Sequence, residues 1–137
     1  MSQINELSLG SSFSFRKTMS VAEQAMFTGI SGNMAPLYVD KVKAQQAGAA
    51  NMVVFELAAA SLATTCINRL GGASRRIASF DVKFPAPLLV GDTLEAKAVV
   101  EAIDGTTVHC TITGTVVGSG VLVFTGSATL VAFNGLG

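Results

Sequence analysis

The sequence contains no tryptophan, a single tyrosine (Tyr38), a single histidine (His109) and two cysteines, Cys66 and Cys110. One histidine excludes a histidine-rich metal site, and the cysteines have neither CxxC pairing nor metal-like spacing, so no metal and no redox pair is expected and both thiols read as core groups. Charge is also scarce: 13% of residues are charged and the formal net charge is zero. A basic face for nucleic acid is therefore not expected. Arg75 and Arg76 with Lys83 form the only local basic grouping, and they read as a solvated loop edge. No long apolar run is present. Met52 to Cys66, the most apolar helical candidate, is interrupted by Glu56 and falls short of the ~20 residues that span a bilayer, so no membrane association is expected. Met1 to Phe15 lacks a basic stretch followed by an apolar run, so no targeting segment is expected and the cytoplasm is the expected compartment. From Gly105 to Gly137 there is no Asp, Glu, Lys or Arg. Such a stretch needs burial by a core, by a partner subunit, or by both.

Half of the 137 residues are hydrophobic, which suits one folded domain over residues 1–137 with a sizeable core. Ser20-Val-Ala-Glu23 has the form of a capping box, predicting a short helix through Ala25 and Met26 toward Phe27. Gly29, Gly32 and Pro36 predict a loop after it, and Asp40 a second cap, for a helix from Lys41 to about Gln46. The longest helical candidate is Asn51 to Leu70, capped by Asn51 and stopped by Gly71-Gly72, with Val53, Leu57, Ala60, Ala63 and Ile67 on one stripe. Its other side carries small residues such as Ala58, Ala59 and Ser61, so the helix is expected to be enclosed. Strand alternation follows in Ile77–Phe84, Thr93–Ala102, Thr107–Thr115 and Val121–Phe133, with turns at Asp104-Gly105 and Gly118-Ser-Gly120. One enclosed helix followed by an antiparallel meander predicts an α+β hotdog fold, a sheet wrapped around a long central helix. Its open edge and the uncharged last third together predict a dimer.

The loop Phe27-Thr-Gly-Ile-Ser-Gly-Asn-Met-Ala-Pro-Leu-Tyr-Val-Asp40 resembles the signature of MaoC-like (R)-specific enoyl-CoA hydratases and acyl dehydratases, with matches at Phe27, Ser31, Gly32, Pro36, Leu37 and Asp40. Phe84-Pro-Ala-Pro-Leu-Leu-Val-Gly-Asp-Thr-Leu94 is similar to a second family block, correctly spaced from the first. The resemblance covers essentially the whole chain. It implies an acyl thioester of CoA or acyl carrier protein as substrate, no cofactor, and a homodimer or a pairing with another hotdog subunit. It also implies a pocket drawing on Phe27, Met34, Phe55, Phe84 and Pro87.

The departures fall on the chemistry. The family's catalytic Asp and His positions hold Asn33 and Tyr38, its motif Asn holds Ala35, and its His-Gly at the start of the central helix reads Phe55-Glu56. An amide is no base near neutral pH, although it can orient a water, and a phenol of pKa ~10 is a neutral donor there. Asn33 reads either as a water- or substrate-orienting group or as a turn residue. Tyr38 reads as a pocket donor or as a packing residue. Glu56 is a relocated catalytic carboxylate, or else an acid favoured in a helix first turn. Asp40 and Asp92 read as structural, and His109 as solvent-facing. Three functions stay open: a hydratase or dehydratase with altered site chemistry, a thioesterase using Glu56, and a non-catalytic thioester-binding or structural subunit.

Overall fold

The computed structural model of the protein describes residues 7–133. Five antiparallel strands form one sheet: β1 (Ser12–Thr18), β2 (Arg75–Lys83), β3 (Thr93–Asp104), β4 (Thr107–Val116) and β5 (Leu122–Ala132), in the spatial order β1-β3-β4-β5-β2. Four helices precede β2: α1 (Val21–Ser31), α2 (Pro36–Val39), α3 (Lys41–Gln46) and the long α4 (Glu56–Gly71). The sheet curls around α4. Leu94, Ala96, Ala98 and Val100 of β3, Val108, Cys110 and Ile112 of β4, and Phe124, Ala128 and Leu130 of β5 form one core with Ala59, Leu62, Ala63, Cys66 and Ile67 of α4. This is the hotdog architecture expected from the period-two alternation of β3 and β4, in which every second residue is buried from Leu94 to Val100 and from Val108 to Gly114.

Several details differ from the sequence reading. Only β3, β4 and β5 form a meander; β2 crosses to the far edge and pairs with β5. Strand β1, not expected, covers the other flank by pairing with β3. Helix α4 starts at Glu56 rather than Asn51, because the preceding residues are committed to extended pairing. Val54 N–H donates to Leu88 O at 2.8 Å and Val90 N–H to Met52 O at 2.9 Å. Asn51 caps no helix; its amide bonds Val90 O at 3.2 Å. The buried face of α4 includes Ala58 and Ala59, whereas Leu57 is 59% exposed. Leu57, Ser61, Thr64, Thr65, Asn68 and Arg69 make an open line along a helix expected to be enclosed. His109 is half-buried, with Nδ1 3.1 Å from Thr129 Oγ1. Arg75 is no loose edge: it donates to Gly71 O at 2.7 Å and Thr106 O at 2.8 Å, satisfying a carbonyl at the end of α4.

Helix α1 has the expected capping box, but it continues through Gly29 to Ser31 and ends at Gly32, whose φ of 75° is the left-handed conformation that glycine favours. Ser20→Ala is expected to cost about 1 kcal/mol in denaturant unfolding. Hydrogen bonds from the Ser20 N–H and then the Ser20 hydroxyl, with Lys17 assisting, hold the Glu23 carboxyl at about 2, below its ordinary 4.5. A depressed acid stabilises the fold fully above its unfolded value, and that contribution disappears as pH falls through the folded value. The stability gap between the wild type and Glu23→Ala should therefore be constant near neutrality and close between pH 4.5 and about 2. A gap that persists at the acid end would contradict this.

Candidate active site

The site is assembled where α1, α2 and the start of α4 meet. Helix α2 is only four residues long, with Pro36 in its first turn, and it ends at Asp40, whose carboxylate then caps α3 through the Lys43 N–H at 3.1 Å. The motif residues Pro36 and Asp40 thus fix the ends of the segment that carries Tyr38. On the other side, the extended Met52–Phe55 stretch is pinned to Leu88 and Val90, and Val53 N–H donates to Leu37 O at 3.1 Å. The turn at Gly91 follows that pinning segment, with Gly91 N–H donating to Met19 O at 2.8 Å.

Between these supports, the Tyr38 phenol donates to Glu56 Oε1 at 2.8 Å. The Tyr38 ring stacks on Phe55 with centroids 4.5 Å apart and planes 16° apart, and Phe27 lies against the same Phe55 at 4.8 Å. Burial, and next the hydrogen bond and negative charge of Glu56, push the Tyr38 phenol above its ordinary value of 10. At neutral pH it is a neutral hydrogen-bond donor. Helix α4 begins at Glu56 with no side-chain cap. Its first-turn N–H groups and the positive end of its dipole therefore face the same locality.

The remaining expected residues are spread more widely. The Asn33 Oδ1 accepts the Ala35 N–H at 3.0 Å, an Asx turn, and among the described residues no hydrogen bond joins it to Tyr38 or Glu56. Met34 is 69% exposed and borders a pocket of about 300 Å³ with Val21, Ala25 and Met52. Phe84 is half-buried against the core. Pro87 lines a separate cavity of about 730 Å³ with Ala49, Leu89 and Val121. Phe27 borders an apolar groove of about 470 Å³ between β1, α1 and α4, lined by Met19, Met26, Ile30, Ala58 and Leu62. Among the described residues, no group of three His, Cys, Asp or Glu side chains could hold a metal ion, and no helix is long and apolar enough to cross a membrane.

Sequence reasoning passed over Gln24. It is the one buried polar side chain among the described residues, 3% exposed. Its amide donates to Tyr38 O at 2.7 Å and to Val53 O at 2.9 Å, while Phe55 N–H reaches its Oε1 at 3.4 Å. The available signal was its place three residues before Phe27, on the same face of α1.

A sheet wrapped on one helix, with a polar pair at that helix's N-terminus, defines the class as hotdog. The sequence profile of the family described as "MaoC like domain" matches residues 5–121, and the chain belongs to that MaoC-like dehydratase family. Among solved structures it is similar to an "(R)-hydratase from A. caviae involved in PHA biosynthesis", with TM-score 0.86 and 26% identity over 92% of this chain and 97% of that one. It shares its fold with the R-hydratase PhaJ1 of Pseudomonas aeruginosa, at TM-score 0.86 and 18% identity over 93% and 83%. It also shares its fold with the HadBC (3R-hydroxyacyl-ACP dehydratase) complex of Mycobacterium tuberculosis, at TM-score 0.76 and 19% identity over 89% and 96%. A comparison with curated protein sequences gave no match.

Proposed function

We propose that the protein is a hydro-lyase on acyl thioesters, interconverting a 3-hydroxyacyl thioester and its enoyl form, with Glu56 and Tyr38 in place of the family's Asp and His. The observation that carries this reading is the 2.8 Å Tyr38–Glu56 hydrogen bond at the start of the central helix of a MaoC-like chain. In the dehydration direction, the Glu56 carboxylate takes the proton from C2 and the C2–H electron pair becomes the double bond. The C3–O bond breaks, and the departing hydroxyl takes the phenol proton of Tyr38 and leaves as water. The proton on Glu56 then passes along the hydrogen bond to the Tyr38 oxygen, restoring both groups. Hydration is the reverse. The raised phenol value keeps Tyr38 protonated at neutral pH, so its proton is present to be donated, and the uncapped N-terminus of α4 suits the thioester carbonyl.

The apolar groove beside Phe27 supports placement of the acyl chain there. Asn33, with its oxygen already bonded, is left as a turn-forming rim residue that can orient a water through its NH₂ group. Strand β2 is an open sheet edge, and exposed Ile77 on it accompanies the open line of α4, which supports pairing with a second hotdog subunit through this side.

Purified protein mixed with crotonyl-CoA should show loss of enoyl absorbance. Absence of turnover in the wild type overturns the reading, and turnover that appears only in an Asn33→Asp, Tyr38→His double variant would assign the scaffold to the family without this pair's chemistry. A thermal shift with acyl-CoA or acyl carrier protein would then identify a non-catalytic binder, and thiol release a thioesterase.

A further inference from the structure

We infer that Gln24 is a positioning residue for the Tyr38–Glu56 pair: a buried amide that locks the segment carrying the phenol to the segment carrying the carboxylate. This rests on the reading of that pair as the working site. Tyr38 and Glu56 lie on separate stretches of chain, and the direct link between their side chains is one hydrogen bond. Such a bond between two half-exposed side chains does not set its own geometry. Their backbones must be fixed first.

Gln24 does this from a third element. Its NH₂ group spends one hydrogen on Tyr38 O, at 2.7 Å, and the other on Val53 O, at 2.9 Å. Both of its donors are therefore committed, one to each side of the site. Its oxygen faces the N–H of Phe55, the residue that stacks on the Tyr38 ring and immediately precedes Glu56. At 3% exposure the side chain cannot exchange these partners for water. A glutamine that served only to fill space here could be replaced by methionine. A glutamine that served only to satisfy one carbonyl would not need both hydrogens on opposite walls of the site.

The chain supplies its own reporter, because Tyr38 is the only tyrosine and there is no tryptophan. The tyrosinate absorption band therefore reads Tyr38 alone. Gln24→Met keeps the volume and removes both donors; Gln24→Leu also removes both donors and, like Met, adds no charge beside the phenol. In each folded variant the Tyr38 titration midpoint should fall from its raised position toward that of a free phenol. The kcat on crotonyl-CoA should fall by up to about 10²-fold with KM little changed, as misplacement of reacting groups produces. In a Glu56→Gln background, which keeps the contact but removes the charge that Gln24 holds beside the phenol, Gln24→Met should shift the midpoint little further. A folded Gln24→Met protein of lower melting temperature, with Tyr38 titrating as in the wild type, overturns the inference and leaves a merely structural glutamine. If neither variant folds, the nitrogen-labelled wild type decides. The Gln24 side-chain amide signals should move at the Tyr38 midpoint, and signals that stay constant overturn the inference. The titration needs no substrate. A wild type without turnover whose Tyr38 still responds to Gln24 therefore removes the hydro-lyase reading and keeps the positioning role.

Discussion

Glu56→Gln is expected to lower kcat for crotonyl-CoA hydration by ~10²–10⁴-fold, the usual worth of a positioned acid or base. The amide is close in shape to the carboxylate and can still accept the Tyr38 hydroxyl, so the 2.8 Å contact and the stacking on Phe55 should survive. What is lost is the capacity to take a proton. KM should change little, because that step belongs to the transition state and not to binding. Steady-state kinetics and a thermal melt on the same preparation separate the outcomes. A kcat within a few-fold of wild type, with the fold intact, would mean that Glu56 is only a first-turn acid favoured by the helix dipole.

The second large effect lies in the core. Phe124 is fully buried, and its ring lies over Gly114, its cross-strand partner. A Cβ at Gly114 would collide with three atoms of that ring, so the two residues form a single unit, one supplying the ring and the other the room for it. Phe124→Ala should cost ~3–5 kcal/mol, from lost transfer energy and the cavity left behind. Against a typical total of ~5–15 kcal/mol, that removes much of the stability of a domain this size. Urea unfolding should show a midpoint shift with little change in slope. A cost below about 1 kcal/mol would mean that β4 and β5 close over the gap.

Much of the fold could be read from residue patterns, and the misses have physical causes. Strands β3 and β4 announced themselves through unbroken alternation, and the Ser20–Glu23 box and the Asp40 cap were local chemistry. Strand β1 was obscure because its alternation rests on Phe13 and Phe15 alone, and as an edge strand it buries neither fully. Residues 51–55 looked helical because they continue the apolar content of α4. Pairing with residues 88–90, distant in sequence, overrides that propensity. Counting the helical stripe from Val53 then put Leu57 on the wrong face. Sequence reasoning could name Tyr38 and Glu56 as candidates, because both stand at positions where the family places other chemistry. It could not show that they touch across a loop, nor that the connection runs through Gln24, whose role exists only once three elements have met.

The strand order has a consequence for how the molecule comes into being. Strand β2 is synthesised before β3 and β4, yet its only neighbour in the sheet among the described residues is β5, which follows both. While the chain is being made, β2 has no mate. Helix α4 meanwhile lacks the β5 part of the surface that encloses it, and the uncharged strands emerge without charged residues to discourage contact with other nascent chains. Assembly is therefore governed by a late, long-range event, the arrival of β5 between two strands already waiting. Topologies dominated by such distant pairings fold slowly and spend that time open to association.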